Sequence, residues 1–386
     1  MTLRLWLFFL LNELIRLLIP RRRNSATLVI RLDAIGDFII WLGSGADQIA
    51  KLARQQERSV LLAGSDWADF ARSLQLFDEV WPVETARFER RPCYRFLLQT
   101  RIRRAGFSFV IQPKTARNFL LEDSVIRVSG AESVTGAAGS TCNIASYLKR
   151  ISDRWYTRMV DVLPTSSHES EKNRAFCRAL TGVEAGVVSL DFDPAIGPRL
   201  GLNQDYFLIA PGAGHASRRW PVARFADIAF RLQQRTGLLC VVVGGAEDRP
   251  LAEAIASTLG ARCLNLAGKT TLIETGALLK SARLAIANES AIAHFAPFVG
   301  TKCVVLLGGG HFGRFLPYGD DVDAAIRPKA VFQAMDCYGC NWHCRFPVDK
   351  GGVFPCVDRI SAEEVWLAVV AAYESDHPPR SDAGAS

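Results

Sequence analysis

Short apolar runs rich in β-branched residues alternate along this chain with longer stretches whose apolar positions recur every three or four residues. In the first half this pattern predicts strands at 28–32, 59–63 and 109–112 and helices at 38–53, 67–76 and 94–104. In the second half it predicts strands at 206–210, 238–243, 283–287 and 303–307 and helices at 222–234, 249–259, 272–280 and 291–298. Val222, Phe225, Ile228, Ala229 and Leu232 form one such helical stripe. Thr271 with Glu274, and Ser361 with Glu364, have the spacing of capping boxes at helix starts. Alternation of strand and helix implies parallel sheets covered on both faces. Between the halves, residues 182–204 carry Asp193-Pro194 and Gly197-Pro198, turn signals that place a hinge there. The expected fold class is α/β: two Rossmann-like doubly wound domains, residues 25–190 and 205–374, facing a cleft. The polar stretch 375–386 is expected to be a flexible tail.

The N-terminal segment 1–24 has a different pattern. Residues 3–19, LRLWLFFLLNELIRLLI, are followed by Pro20 and then Arg21, Arg22 and Arg23. A helix of this length is about 25 Å long, short of a hydrocarbon core about 30 Å thick. Asn12, Glu13 and Arg16 interrupt it, and no small-residue cleavage site follows. The expected placement is an amphipathic helix in the membrane interface, with Trp6 and Phe8 at headgroup depth and the arginines on anionic lipid. The alternative is a helix docked on the protein's own core.

The chain has 386 residues, 49% of them hydrophobic and 22% charged, which excludes a disordered chain and leaves room for two cores. No internal repeat argues for a solenoid. The net charge of +7 points to an anionic partner, such as a nucleotide, a phosphorylated substrate or an acidic membrane face. There is no two-Cys, two-His finger and no RNP-like aromatic motif, so nucleic acid is not expected as a partner. Six of the ten cysteines sit singly in apolar or helical contexts, a pattern that suits a reducing compartment.

Four segments carry candidate chemistry. LVIRLDAIGDFIIWLG, residues 28–43, reads as a strand, a tight turn at Gly36 and a helix, with Asp37 at the turn. A carboxylate there lies where open α/β sheets place their ligands; the alternative is a helix cap. IAPGAGHASRRWPVARF brings Gly212, Ser217, Arg218 and Arg219 ahead of a helix that starts at Pro221. Such a loop suits a phosphate, and two guanidinium groups suit a departing diphosphate; the alternative is a solvated loop. VVVGGAEDRP ends a strand and places Glu247 and Asp248 at a helix start, where the dipole alone favours carboxylates. AIANESAIAHFAPF carries Asn288, Glu289, Ser290, Ala291 and His294, with backbone N–H groups placed to face a phosphate.

These motifs resemble glycosyltransferase family 9, the ADP-heptose:lipopolysaccharide heptosyltransferases, over about residues 28–373. The resemblance implies a GT-B fold and inverting transfer of a heptose, or related sugar, from ADP-heptose to a lipid-anchored acceptor of lipopolysaccharide type. It makes Asp37 the catalytic base and has Glu247 bind a ribose diol. The donor side would comprise Gly212, Ser217, Arg218, Arg219, Glu247, Glu289, Ser290, Ala291 and His294, and the acceptor side Arg31 and Lys114. No cofactor would be required for transfer. The enzyme would lie on the cytoplasmic inner face of the bacterial inner membrane. The sequence departs from the family pattern at Arg218, where the family has lysine. It departs again at Glu289, Ser290 and Ala291, where it has aspartate, threonine and glycine. Ala291 would cost stability or affinity if that position needs a positive φ. An NDP-sugar epimerase on the same fold and a non-catalytic nucleotide-sugar-binding membrane protein are the alternatives.

Two further segments stand apart. GGGHFG, residues 308–313, satisfies G-x-G-x-x-G, but Pro317 and Gly319 follow in place of a helix, so a flexible loop is expected and not a dinucleotide fingerprint. The Cys-rich insert 337–356 carries Cys337, Cys340, Cys344 and Cys356, a donor set able to hold a structural zinc or an Fe–S cluster, or else free thiols.

Overall fold

The computed structural model describes residues 3–375, apart from 23, 165, 166, 187, 189, 191, 194, 321 and 350. Arg23 and the expected tail beyond residue 375 therefore lie outside the described residues. The chain divides into two compact units, Met1–Ser189 and Leu190–Ser386.

The sheet of the first unit contains β1 (Ala26–Arg31), β2 (Arg58–Gly64), β3 (Glu79–Val83), β4 (Phe109–Gln112), β5 (Ser133–Ala137) and β6 (Arg158–Val160). Its order is β3-β2-β1-β4-β5-β6, with every pairing parallel. The second unit contains β7 (Tyr206–Ala210), β8 (Leu239–Val242), β9 (Cys263–Asn265), β10 (Ala285–Asn288), β11 (Cys303–Leu306) and β12 (Lys329–Val331). Its order, β12-β11-β10-β7-β8-β9, is the same topology when counted from β7, again all parallel. Each sheet is doubly wound in the Rossmann order, and the two together give the GT-B fold. The central strands are apolar without alternation, as Leu28, Val29 and Ile30 and Phe207, Leu208 and Ile209 show, because helices bury both faces. In each sheet the strand order reverses once, between β1 and β4 and between β7 and β10. Ligands of open α/β sheets bind beyond the carboxyl ends of strands at that reversal.

The predicted strands are present, shifted by up to two residues at their ends. Five others carried no sequence signal. β3, β6, β9 and β12 are short edge strands, and β5 contains Gly136, whose missing side chain leaves room for the Tyr156 ring. The helix expected over 38–53 is two helices, α2 (Ile35–Leu42) and α3 (Ala46–Ala53). Gly45 breaks it with φ +143°, and a Cβ there would meet Cys177 Cβ at 3.0 Å.

The N-terminal helix, α1 (Leu3–Leu18), docks on the first unit. Leu5, Phe8, Asn12 and Ile15 face inward and are buried. The polar residues that interrupt its sequence are its anchors. Asn12 Oδ1 accepts from Arg95 Nε at 3.3 Å, and Arg127 makes a two-point pair with Glu13 at 2.6 and 2.9 Å. Arg95 is fully buried and lies over the Phe8 and Phe88 rings, and burial pulls its pKa down to about 9. Among the described residues no helix is long and apolar enough to cross a membrane. The opposite face of α1 leaves Trp6, Leu7, Leu10, Leu14, Leu17 and Leu18 exposed.

Candidate active site

In the first unit a set of charged side chains gathers at the reversal between β1 and β4. Arg31 ends β1, and its Nη2 lies 2.8 Å from Asp33 Oδ2 and donates to the Asp37 backbone carbonyl at 3.2 Å. The guanidinium also sits 5.1 Å over the Trp41 ring, which fixes it below the turn. Ala34, not Asp37, occupies the N-cap of α2. The Asp37 carboxylate is thus not used as a cap, and among the described residues it accepts no hydrogen bond. Burial pushes it up to about 7, the charges of Asp33 and Glu169 push the same way, and Arg31 and Lys114 oppose them. Its surface is partly open to solvent, which tempers the effect of burial. Asp33 touches the Arg31 guanidinium, yet burial raises its pKa as well, so both aspartates of this pair hold a proton more readily than an ordinary carboxyl.

Just past β4 comes Lys114, half-buried, with Nζ donating to Glu122 at 2.9 Å. Burial pulls its pKa down, but Glu122, Asp33 and Asp37 outweigh that and keep it an ammonium. Glu122 lies in a π-helical turn, Phe119–Asp123, a geometry frequent at functional sites. Glu169 closes the group, accepting from Thr115 Oγ1 at 3.3 Å and pairing with Lys172 at 3.4 Å. Arg31 Nε and Nη1, Asp33 Oδ1 and Gln112 Oε1 are buried without a hydrogen-bond partner. Buried polar atoms in native proteins are nearly always satisfied, so such a cluster marks a place built for a ligand or ordered water.

The second unit builds its site at the equivalent reversal. The loop after β7 holds Gly212, Ser217, Arg218 and Arg219, and the turn after β10 holds Glu289, Ser290 and Ala291. Asn288 joins the two. Its Oδ1 accepts from Trp220 N at 3.1 Å and its Nδ2 donates to the Pro211 carbonyl at 2.7 Å, both in a fully buried setting. Trp220 Nε1 donates to Ile360 O at 2.9 Å, which locks the Trp-Pro pair into the core. Arg218 lies 4.2 Å over the Trp342 ring and 3.8 Å from Glu289. Burial pushes Glu289 up to about 7, with Arg218 opposing. Arg219 lies 3.3 Å from Asp248, whose other oxygen accepts from Gly245 N at 3.1 Å. Gly212 has no freedom to vary: a Cβ there would sit 2.2 Å from Asp248 Oδ2. Glu247 stands exposed in the same turn as Asp248. Arg218 Nε, Arg219 Nε, Glu289 Oε2 and Ser290 Oγ are buried without hydrogen-bond partners, a second unsatisfied cluster.

Ala291 opens the helix Ala291–Phe298 and is not among the positive-φ residues, so its side chain costs no backbone strain. His294 is buried one turn inward, its Nδ1 3.0 Å from the Tyr318 hydroxyl. Gly308, Gly309 and Gly310 of the GGGHFG segment are buried, not a free loop: a Cβ on Gly309 or Gly310 would lie 2.2 Å from the Tyr338 or Trp342 ring. The four clustered cysteines form no disulfide. Cys337, Cys340 and Cys344 are near enough to help burial raise the Cys356 thiol. Even so, among the described residues no group of three or more His, Cys, Asp or Glu is arranged to hold a metal ion.

Asp33, Glu122, Glu169, Lys172 and Asp248 were not singled out in the sequence as site residues. Asp33 and Asp248 had a visible signal, lying at the end of a strand or beside a residue already chosen. Glu122, Glu169 and Lys172 are brought in by tertiary packing and had none.

Two Rossmann-like sheets, each with an unsatisfied polar cluster at its reversal, define an α/β protein of GT-B type. The chain belongs to glycosyltransferase family 9 (heptosyltransferase), whose sequence profile matches residues 145–337, half of its length. It is similar to lipooligosaccharide heptosyltransferase 2 of Haemophilus influenzae, with 33% identity over 103 residues, 25% of this chain and 30% of that protein. It is also similar to a lipopolysaccharide heptosyltransferase 3 of Escherichia coli, with 28% identity over 174 residues, 42% of this chain and 51% of that protein. The matched stretches thus span about half or less of these curated relatives. The solved E. coli ADP-heptose LPS heptosyltransferase II shares the fold at a TM-score of 0.62 and 17% identity, over 91% of this chain and 99% of that one.

Proposed function

We propose that this chain is an inverting glycosyltransferase that moves a heptose from ADP-heptose to a hydroxyl of a lipid-anchored saccharide of lipopolysaccharide type. The observation that carries the reading is Asp37: a carboxyl at the strand reversal, near neutrality in pKa, that accepts no hydrogen bond among the described residues. In the transfer, Asp37 takes the proton of the acceptor hydroxyl as its oxygen attacks the anomeric carbon. The bond from that carbon to the β-phosphate oxygen breaks, and ADP leaves with the electron pair. Arg218 and Arg219, with the N–H groups at the start of the helix Ala291–Phe298, receive the diphosphate charge. Protonation of Glu289, whose pKa lies near 7, releases Arg218 toward that anion. Glu247, exposed in its turn, binds the ribose diol. Arg31 and Lys114 lie around the base and orient the acceptor. Transfer takes place at the cytoplasmic face of the inner membrane, where the lipid acceptor lies.

The test is to follow ADP release and sugar transfer with ADP-heptose in the presence and absence of lipid-anchored acceptors. Acceptor-dependent release with a new glycosidic product supports the reading. Donor conversion that needs no acceptor points to an epimerase, and binding without turnover points to a sensor; either overturns it.

A further inference from the structure

A second pocket lies away from both strand reversals, beside α1. It has a volume of about 560 Å³, and its charged lining consists of Arg16, Arg21, Arg103, Arg127 and Arg154, with Trp155 as its aromatic wall. Two carboxylates answer these five guanidinium groups. Glu13 pairs with Arg16 at 3.0 Å and with Arg127, and Glu132 pairs with Arg21 at 3.2 Å. Among the described residues Arg103 donates only to backbone carbonyls, those of Arg16 and Ile19 at 3.0 and 3.1 Å included. Arg154 is exposed and, among the described residues, has no carboxylate partner. A surplus of positive charge is therefore held in a preformed hollow. Gly130 helps to make it, since a Cβ there would sit 2.2 Å from Arg103 Nη1. Neither the donor chemistry nor the base at Asp37 uses this pocket.

One edge of the hollow is α1 itself, which contributes Arg16. At 3.6 residues per turn the exposed residues Trp6, Leu7, Leu10, Leu14, Leu17 and Leu18 fall within about 120° of arc. That arc contains no charged residue. A helix with this division ordinarily lies with its apolar side at the acyl boundary. Here it is held to a rigid unit by Arg95, Arg103 and Arg127, so the stripe and the arginine pocket keep a fixed geometry.

We propose that the outer face of α1 and the five-arginine pocket form one docking surface for an anionic phospholipid bilayer, the stripe entering the acyl boundary and the pocket taking a lipid headgroup phosphate. Charge complementarity selects this occupant over a second copy of the chain, whose matching pocket would carry the same positive charge. The proposal rests on the reading of a lipid-anchored acceptor. Vesicle binding is measured without transfer, so each can fail alone.

The experiment is co-sedimentation of the full chain with phosphatidylglycerol vesicles and with phosphatidylcholine vesicles, at low and high salt. Wild type is expected to bind the first and not the second, and to lose binding as salt rises. The Arg21→Gln, Arg154→Gln double variant should bind phosphatidylglycerol roughly thirtyfold more weakly, at about fivefold per basic residue removed. The Leu10→Glu, Leu17→Glu double variant should lose more than about tenfold through the apolar face. Thermal melts and ADP binding serve as folding controls, because all four side chains lie outside the donor site. Equal binding to both vesicle types, or arginine variants that bind like wild type, would overturn the proposal. So would a leucine variant that dissociates a dimer while vesicle binding stays intact.

Discussion

Replacing Asp37 by asparagine removes an ionisable carboxyl while keeping its size, and the consequence for stability has a definite sign. The ordinary aspartate value is 3.8 and the folded value is about 7, raised first by burial and then by Asp33 and Glu169. Below about pH 4 the group is protonated whether the chain is folded or not. Between about 4 and 7 only the unfolded chain ionises, so this group's contribution erodes stability as pH rises, and above 7 the penalty is constant. At about 1.4 kcal/mol per pH unit the interval sets a ceiling of roughly 4 kcal/mol. The side chain is partly exposed, so solvent screening lowers the expectation to about 2 kcal/mol. Asp37→Asn should therefore melt at a higher temperature than wild type at pH 8, and the gain should shrink steadily toward pH 4. Differential scanning calorimetry of both proteins across that range measures it. A variant that is no more stable at pH 8, or whose gain grows as pH falls, would refute the assignment of a strained, proton-retaining carboxyl to this turn.

Three other outcomes follow from the second unit. Arg218→Ala removes a guanidinium stacked on Trp342 and should weaken ADP binding by roughly 10- to 100-fold, a charge-assisted contact of about 1.5–3 kcal/mol, read by titration calorimetry. Asn288→Ala leaves the Trp220 N–H and the Pro211 carbonyl buried without their partner and should lower stability by about 2–4 kcal/mol in urea unfolding. Ala291→Gly, the change toward the family pattern, should improve nothing. At the start of a helix with ordinary backbone it should cost up to about 1 kcal/mol, seen as a lower melting temperature with unchanged ADP affinity.

The doubly wound halves were legible because central parallel strands must be apolar on both faces, and β1, β4, β7, β8, β10 and β11 are. The edge strands were not, since three- to five-residue segments such as Arg158–Val160 carry too little periodicity to stand out. The break between α2 and α3 was latent in Gly43 and Gly45 but depends on the approach of Cys177, which only folding supplies. At the site, Asp37, Arg218 and Glu289 were visible because each lies between a recognisable strand and the following helix or in that helix's first turn. Glu122 and Glu169 come from a π-helical turn and a distant helix, and nothing local in their sequence reports the charge they bring to Lys114 and Asp37. The N-terminal helix shows a further limit. Its composition announced a surface-seeking helix, while its docking depends on Arg95, Arg103 and Arg127, each far from it in sequence.

The claim on which the account turns is that Asp37 is the base for the acceptor hydroxyl and plays no part in holding the donor. Single-turnover transfer from ADP-heptose to a lipid-anchored acceptor, measured beside ADP affinity in wild type and Asp37→Ala, separates the two roles. The prediction is a rate lowered by roughly 10²- to 10⁴-fold with ADP affinity within about threefold of wild type. A variant that transfers at close to the wild-type rate would contradict it.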